Sequence, residues 1–114
     1  RLNGLLRKEI SEIILRQVRD PRLANIITIT NVDTSPDLKT SKVYVSIMGD
    51  DDEKLSSLEG LTAAAPFLRH ELMGKIRIRR MPNFTFSLDE SMEEAAHILD
   101  IMKVLDIDKN RKEP

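Results

Sequence analysis

The sequence has no cysteine and no tryptophan, and aromatic residues make up only 4% of its 114 residues. Without thiols it forms no disulfide bonds, cysteine-ligated zinc sites or iron–sulfur clusters, and it has no thiol nucleophile. A chain of this length buries roughly two-thirds of its unfolded surface on folding, which supports one core without crosslinks. We therefore expect a single domain that needs neither disulfide nor metal for stability, in a reducing cytoplasm.

Long apolar runs are also absent. Residues 13–15 and 63–68 are among the longest apolar stretches, whereas a helix needs about 20 apolar residues to cross a bilayer. The first residues do not form the apolar core of a signal peptide. We expect a cytoplasmic protein without a membrane partner.

The sequence offers few groups for catalysis or for holding a cofactor. Its two histidines, His70 and His97, fall in predicted helices and have no assigned partner. The consecutive carboxylates of residues 50–53 lack the alternating ligand spacing of a calcium loop and are typical of a solvated acidic loop. None of the four glycines belongs to a GxGxxG or GxxxxGK pattern. We expect no enzymatic activity, no cofactor and no metal site.

The net charge is only −1, but the charges are segregated along the chain. Residues 63–87 carry five basic residues and one acidic residue, and residues 1–49 carry eight basic and five acidic residues. Residues 50–62 and 88–114 each carry four more acidic than basic residues. Because salt screens charges over about 8 Å in cells, a basic surface attracts phosphates locally if the fold brings the basic segments together.

Periodic apolar residues predict a helix at each end of the chain. The first covers residues 2–18 and ends at Asp20-Pro21, because a residue before proline is displaced from helical geometry. The last begins with an acidic turn after residue 88, which suits the positive end of a helix dipole. We expect the last helix to bury a set of apolar side chains: Met92, Ala95, Ala96, Leu99 and Met102.

Alternating residues predict three strands, at 26–32, 42–48 and 76–87. Between the last two, apolar residues spaced by three and four over residues 55–76 predict a helix. Pro66 in the middle of that helix predicts a kink, because proline removes a backbone donor.

The element order α-β-β-α(kink)α-β-α predicts an α+β fold, a three-stranded sheet with helices on one face. The other face of the sheet would then be open and polar. We expect it to carry Thr28, Thr30, Tyr44, Ser46, Arg77 and Arg79.

The strongest local signal is KIRIRR at residues 75–80, in which cations alternate with isoleucines. On a strand the isoleucines are buried and the arginines project from the sheet, where guanidinium groups bind phosphates bidentately. Exposed strand positions are often charged for solubility alone, but the basic excess of this segment favours phosphate binding. Tyr44 is the only aromatic residue expected on the open face, which disfavours a base-stacking sheet and favours recognition of RNA shape and backbone.

Four strings of the sequence, in this order, resemble the ribosome-binding factor A family. They are RDPR (19–22), ITITNVDTSPDLKTSKVYVS (27–46), AAPFLRHEL (64–72) and RIRRMPNFTFSLDES (77–91). The resemblance covers nearly the whole chain, although no single string is diagnostic.

The resemblance implies a fold like that of type II KH domains, with an Ala-x-Gly kink in place of the KH Gly-x-x-Gly loop. The matching positions here are Ala64, Ala65 and Pro66, so proline stands where the family has glycine. Both residues break helical continuity, but the proline ring occupies space that glycine leaves free for an RNA backbone.

The resemblance also implies a function. It implies a bacterial, cytoplasmic, non-catalytic assembly factor that binds the free 30S ribosomal subunit and assists late maturation and 5′-end processing of 16S rRNA. We expect a monomer, with an assembly GTPase as a further partner. Residues 1–106 would form the KH-like ribosome-binding domain and residues 107–114 a charged, flexible tail.

The predicted RNA contacts combine the basic residues with the kink. They are Arg19, Arg22, Lys39, Lys42, Ala64, Ala65, Arg69, Lys75, Arg77, Arg79 and Arg80.

Two other functions fit the residues. A generic KH-like protein would bind single-stranded RNA oligonucleotides tightly. A protein-interaction module would instead use the acidic C-terminal helix, so that substitution of Glu93 and Asp100, rather than of Arg77 and Arg79, would abolish ribosome binding.

Overall fold

The chain folds in the predicted α+β order in a computed structural model that describes residues 1–23 and 26–111. The elements are α1 (Leu2–Arg16), a 3-10 turn (Pro21–Leu23), β1 (Ile27–Thr34), β2 (Thr40–Ile47), α2 (Asp51–Lys75), β3 (Asn83–Leu88) and α3 (Ser91–Arg111). The predicted element types and their order are confirmed, while several boundaries and contacts differ.

The three strands form one mixed sheet with β2 in the centre. β1 pairs antiparallel with β2 through a hairpin, and Ile27 lies opposite Ile47. β3 pairs parallel with β2, with Val43 opposite Phe86. A parallel pair needs a long crossover connection, which α2 provides.

The helices α1 and α2 cover one face of this sheet, as predicted. Leu6, Ile10 and Ile13 of α1 are fully buried, because their spacing of four and three places them on one side of the helix. α2 buries Leu61, Leu68 and Leu72 in the same cluster. The inner face of the sheet contributes Ile29, Val32, Val43, Val45, Ile47 and Phe84.

The acidic residues before α2 form the start of this helix. The Glu53 backbone N–H donates to the Asp50 carboxylate at 2.8 Å, and the Asp50 N–H donates to the Glu53 carboxylate at 3.2 Å. This reciprocal capping box satisfies two backbone donors that a helix start leaves unpaired. The negative charges also complement the helix dipole.

The predicted kink does not interrupt α2. The helix runs unbroken for 25 residues with Pro66 inside it. Thr62, whose carbonyl loses its helical partner, is exposed, and Pro66 is exposed as well. That carbonyl is therefore accessible to water, and the helix continues across the proline.

The predicted third strand is too long by seven residues. Ile76 caps α2, its N–H donating to the Leu72 carbonyl at 2.9 Å, and β3 begins only at Asn83. Asn83 lies opposite Thr40, the first residue of β2, so residues 76–82 have no strand to pair with. They form a loop instead, which buries Met81 and Pro82.

The predicted burial of the C-terminal helix is wrong. Ala95, Ala96, Leu99 and Met102 are all exposed, and the Met92 side chain lies outside the described part of the structure. The helix continues through Arg111, and residues 112–114 are outside the described ranges, so the flexible tail stays a prediction.

Contacts at its first turn join α3 to the domain. The Asp89 N–H donates to the Val45 carbonyl at 2.7 Å, and the Thr30 hydroxyl donates to the Asp89 carboxylate at 2.7 Å. Thr30 is free to do so because it is the extra residue of a bulge in β1. The buried Lys54 ammonium donates to Glu93 at 2.9 Å.

Two glycines of α2 test how closely the helix packs. A methyl group at Gly60 would lie 3.1 Å from the Arg22 Cβ and from a Leu23 methyl, whereas one at Gly74 would meet nothing within 4 Å. We expect Gly74→Ala to raise the free energy of unfolding by about 0.5–1 kcal/mol through helix propensity. Gly60→Ala should lower it by about 1 kcal/mol, because it must displace the 3-10 turn. Urea denaturation of the three proteins measures both effects, and a stabilised Gly60→Ala protein would contradict the close packing.

Asp89 makes stability depend on acid pH. Hydrogen bonds from Ser91 and Thr30 hold the pKa of its carboxyl below the ordinary 3.8. A carboxyl with a lowered pKa in the folded state stabilises the protein above its unfolded pKa, and this stabilisation is lost as pH falls below about 4. We expect Asp89→Asn to lower the urea midpoint at pH 7 by more than it does near pH 3. Equal differences at the two pH values would show that the charge of Asp89 has no part in the contact.

Candidate nucleic-acid interface

The cluster of arginines that the sequence predicts on a strand lies in the loop between α2 and β3. Arg77, Arg79 and Arg80 are exposed there, and Lys75 is exposed at the last turn of α2. The prediction that Arg77 and Arg79 project from the open face of the sheet is therefore wrong. A loop conformation leaves these cations at the end of the sheet, where β2 begins.

The tip of the β1–β2 hairpin lies beside this loop. The Asn83 N–H donates to the Lys39 carbonyl at 3.0 Å, which ties the start of β3 to the hairpin. Arg79 and Arg80 line a cavity of about 570 Å³ together with Asp37 and Leu38. The pairing of β3 with β2 thus brings Lys39 of the hairpin together with the arginines of the loop.

The hairpin tip has a fixed shape. The Leu38 N–H donates to the Ser35 carbonyl at 2.9 Å, and Leu38 has a φ of 61°. This left-handed conformation is unfavourable for a branched side chain, so the surrounding hydrogen bonds must hold it. The Asp37 carboxylate accepts from the Lys39 N–H at 3.0 Å and from the Ser35 hydroxyl at 2.7 Å.

Asp37 is the acidic group of this cavity. The Lys39 N–H and the Ser35 hydroxyl lower its pKa, and Arg80 adds a smaller electrostatic contribution. Asp37 is therefore ionised at neutral pH and opposes the binding of an anion between the arginines. Sequence reasoning missed this role, because Asp37 and Arg80 are far apart in the chain and only the parallel pairing of β3 places them together.

Arg69 extends the cationic region along α2. Its Nε donates to the Met81 carbonyl at 3.3 Å, which joins the helix to the loop. Arg69 and Ala65 also line a groove of about 450 Å³ between α2 and β3, together with Thr62, Pro66, Asn83 and Phe84. We define the basic edge surface as the cations of the loop, the hairpin and this side of α2: Lys39, Arg69, Lys75, Arg77, Arg79 and Arg80.

Arg19 and Arg22 lie against the other flank of α2. Arg19 and Ala64 line a cavity of about 290 Å³ with Gly60, Ala63 and Phe67. The cavity beside Arg19 shares no lining residue with the groove beside Arg69. Helix α2 therefore separates the Arg19 region from the basic edge surface. Ala64 itself is buried.

Arg22 is neutralised within its own turn. Its guanidinium donates to the Asp20 carboxylate at 2.6 Å, and this hydrogen bond lowers the pKa of Asp20 and raises that of Arg22. A phosphate must compete with Asp20 for this arginine. Arg22 is therefore a weaker anion contact than the loop arginines.

Lys42 lies on the open face of the sheet, and it lines neither of these two cavities. Its ammonium is 5.6 Å from the centre of the Tyr44 ring, within the range of a cation–π interaction. It lies opposite Asp33 on β1 and Thr85 on β3. The predicted open, polar face exists, and on it the Lys42 ammonium contacts the Tyr44 ring.

A basic side chain without any predicted role is structural. Lys54 is only 8% exposed, and Glu93 raises its pKa by hydrogen bonding. Its periodic position in α2, in line with the buried Leu61, is the signal that could have identified it. No group of three metal-binding side chains was found among residues 1–23 and 26–111, and no helix there is long and apolar enough to span a membrane.

The exposed cations of the basic edge surface are groups that bind phosphates. Arginines offer paired donors in a plane that matches two phosphate oxygens. The six cations outnumber the carboxylates of the same segments, Asp37 and Glu71, so the local charge is positive although the whole chain has a net charge of −1. Asp37 is the carboxylate that lines the cavity with Arg79 and Arg80. The arrangement is suited to the backbone of a folded nucleic acid.

Comparison with known proteins identifies the family. The family model described as "Ribosome-binding factor A" matches residues 1–102. The chain is 44% identical over 105 residues to ribosome-binding factor A of Caldanaerobacter subterraneus, covering 92% of this chain and 86% of that protein. It is 45% identical over 98 residues to that of Acetivibrio thermocellus, covering 86% and 80%.

Solved structures agree with this assignment. The crystal structure of ribosome-binding factor A from Thermus thermophilus matches with a TM-score of 0.67 and 29% identity, over 76% of this chain and 90% of that one. The solution structure of a Thermotoga maritima protein described as a putative ribosome-binding factor A matches with a TM-score of 0.67 and 32% identity, over 75% and 81%.

A third match is a homology model of the Thermus thermophilus factor fitted into the cryo-EM map of its complex with the 30S subunit. Its TM-score is 0.63 at 27% identity, over 77% of this chain and 91% of that one. The fold of these structures is KH-like, as expected from the family resemblance. The chain belongs to the ribosome-binding factor A family.

Proposed function

We propose that this protein is a bacterial assembly factor that binds the free 30S ribosomal subunit without catalysing a reaction. The Thermus thermophilus relative fitted into a 30S complex supports this partner. The protein would act in the cytoplasm, one copy on each subunit, during late maturation of 16S rRNA.

The observation that carries the proposal is the convergence of cations at one end of the sheet. Lys39 comes from the hairpin, Arg79 and Arg80 come from the loop, and Arg69 holds the loop to α2. Cations on three elements, of which Arg69 is held by the Met81 carbonyl, would contact several phosphates at once. A tightly folded rRNA presents phosphates from separate strands in such an arrangement.

Binding energy alone accounts for assistance to maturation. The factor favours the rRNA conformation whose phosphates fit the basic edge surface, and it shifts the population of maturing subunits toward that conformation. In that conformation the 5′ end of the 16S rRNA would be accessible to the nucleases that process it. An assembly GTPase would be a further partner of the factor.

Recognition of rRNA shape is favoured over binding of single strands. Base stacking needs exposed aromatic side chains. Tyr44 lies beside the Lys42 ammonium, and Phe84 is only 6% exposed. Phe67 is 41% exposed, but it lines the cavity with Arg19 on the flank of α2 away from the basic edge surface. Pro66 also occupies the groove beside Ala65, where a single strand would need to approach the backbone closely.

Neutralising the loop arginines should weaken binding to the subunit and reduce its salt dependence. We expect Arg77→Gln, Arg79→Gln and Arg80→Gln together to lower the affinity for free 30S subunits by roughly tenfold or more. Each lost phosphate contact should reduce the slope of log K against log salt by roughly 0.7–0.9. Titrations of labelled protein with subunits at several salt concentrations measure both quantities.

A matched variant controls for net charge. Arg1→Gln, Arg7→Gln and Lys103→Gln remove the same three charges outside the basic edge surface. This protein should bind with nearly wild-type affinity and slope. Equal losses in both triple variants would mean that total charge, and not the loop, determines binding.

Removal of the opposing carboxylate should strengthen binding. Asp37→Asn keeps the acceptor oxygen for the Lys39 N–H but loses the negative charge beside Arg79 and Arg80. A unit charge about 6 Å from a phosphate in water contributes roughly 0.7 kcal/mol, so we expect about threefold tighter binding at low salt. Asp52→Asn, at the other end of α2, is the control and should have no effect. Unchanged affinity of Asp37→Asn would place the bound phosphates away from this cavity.

A further inference from the structure

Leu38 lies at a position of the β1–β2 hairpin where the backbone conformation favours glycine or asparagine. Its φ of 61° makes it the only residue other than glycine with a positive φ among those that the structure describes. In this left-handed region the Cβ atom crowds the following carbonyl oxygen. Hairpin loops often place one residue there, and glycine or asparagine is the usual choice. The turn alone would therefore be more stable with either of these residues than with leucine.

The hydrophobic core does not account for this leucine. Within the described ranges, Leu38 belongs neither to the core cluster nor to the partly buried apolar side chains that pack against it. The hydrogen bonds at the hairpin tip hold the backbone and not the Leu38 side chain: the Leu38 N–H donates to the Ser35 carbonyl, and the Lys39 N–H donates to the Asp37 carboxylate. An unfavourable backbone conformation that no core contact offsets indicates a role in binding.

The Leu38 side chain instead lines the cavity of about 570 Å³ at the basic edge surface. It is the apolar member of a lining that otherwise consists of Asp37, Arg79 and Arg80. A small inorganic anion needs only the arginines and gains nothing from an apolar side chain. A nucleotide offers both groups, since its anionic phosphate is joined to a sugar ring with carbon-bound edges. A cavity of about 150 Å³ holds a benzene molecule, so this one has room for a sugar with its phosphate.

We propose that Leu38 contacts an RNA ribose: the sugar of one nucleotide packs on the Leu38 side chain while its phosphates lie on Arg79 and Arg80. The inference rests on the proposed binding of rRNA and adds the sugar to the groups that the basic edge surface recognises. Burial of the leucine against the ribose stabilises the complex and not the free protein. The hydrogen bonds of the tip hold the side chain in position before RNA binds, which reduces the entropy lost on binding.

Leu38→Asn separates binding from folding. Asparagine adopts the left-handed conformation more readily than leucine, so the urea midpoint should rise by roughly 0.5 M. The affinity for free 30S subunits should fall about fivefold, because the apolar contact is lost. The slope of log K against log salt should keep its wild-type value, because every phosphate contact remains. Urea denaturation, and titration of labelled protein with subunits at several salt concentrations, measure these three quantities.

Three further variants serve as controls. Leu38→Gly has no side chain and should bind as weakly as Leu38→Asn, which excludes an effect of the new amide. Leu38→Met keeps an apolar side chain of similar volume on the same backbone and should bind like the wild type. Leu15→Asn makes the same chemical change at an exposed position of α1, outside the basic edge surface, and should also bind like the wild type.

The outcomes distinguish this inference from the proposed function. If the wild type binds free subunits and Leu38→Asn binds them equally well, the ribose contact is overturned and the proposed function stands. A loss of affinity together with a smaller salt slope also overturns the contact, because Leu38 would then act by positioning the arginines. A lower urea midpoint would show that the leucine stabilises the fold, which again overturns the inference. A wild-type protein that does not bind free subunits overturns the proposed function and the ribose contact together.

Discussion

The parallel pairing of β3 with β2 determines the arrangement of the whole basic edge surface. A parallel neighbour requires a connection that returns to the starting end of the sheet, and α2 spans that distance in one helix. Because Asn83 aligns with Thr40, the loop after α2 must end beside the hairpin tip. Lys39 and the arginines at residues 77, 79 and 80 are therefore neighbours, although they lie far apart in the sequence.

This arrangement explains how a protein with a net charge of −1 presents a basic surface. The carboxylates of residues 50–53 cap α2 or lie in its first turn. Most of the carboxylates after residue 88 lie on α3. Lys54 and Arg22 are paired with acidic groups. The cations that remain unpaired within the described residues include those of the α2–β3 loop, and electrostatic attraction at cellular salt acts over only about 8 Å.

The sequence predicts the elements of this fold better than their contacts. Periodicity identifies α1 and α2 because each buries a clear apolar stripe, and alternation identifies the hairpin strands. Alternation fails at residues 76–82, since the pattern of KIRIRR persists where β2 offers no partner. It also fails for α3, whose apolar positions resemble a core stripe but are exposed in the described structure. A local sequence pattern shows which side chains are apolar, but it does not show which surface, if any, buries them.

The same limit applies to the predicted contact residues. The loop arginines are exposed, Lys42 lies on the separate open face, and Arg22 is paired with Asp20. No pattern in the sequence distinguishes these cases, because each depends on which residues the fold brings close. Asp37, which lies beside the arginines, is visible in the sequence only as part of a turn.

Co-sedimentation with free 30S subunits and with assembled ribosomes, at two salt concentrations, tests the central claim most directly. The claim is that cations on the basic edge surface bind rRNA phosphates that only the free subunit exposes. We expect strong binding to free subunits that weakens at higher salt, and little binding to assembled ribosomes. Binding that is independent of salt, or equal for both particles, would contradict this account.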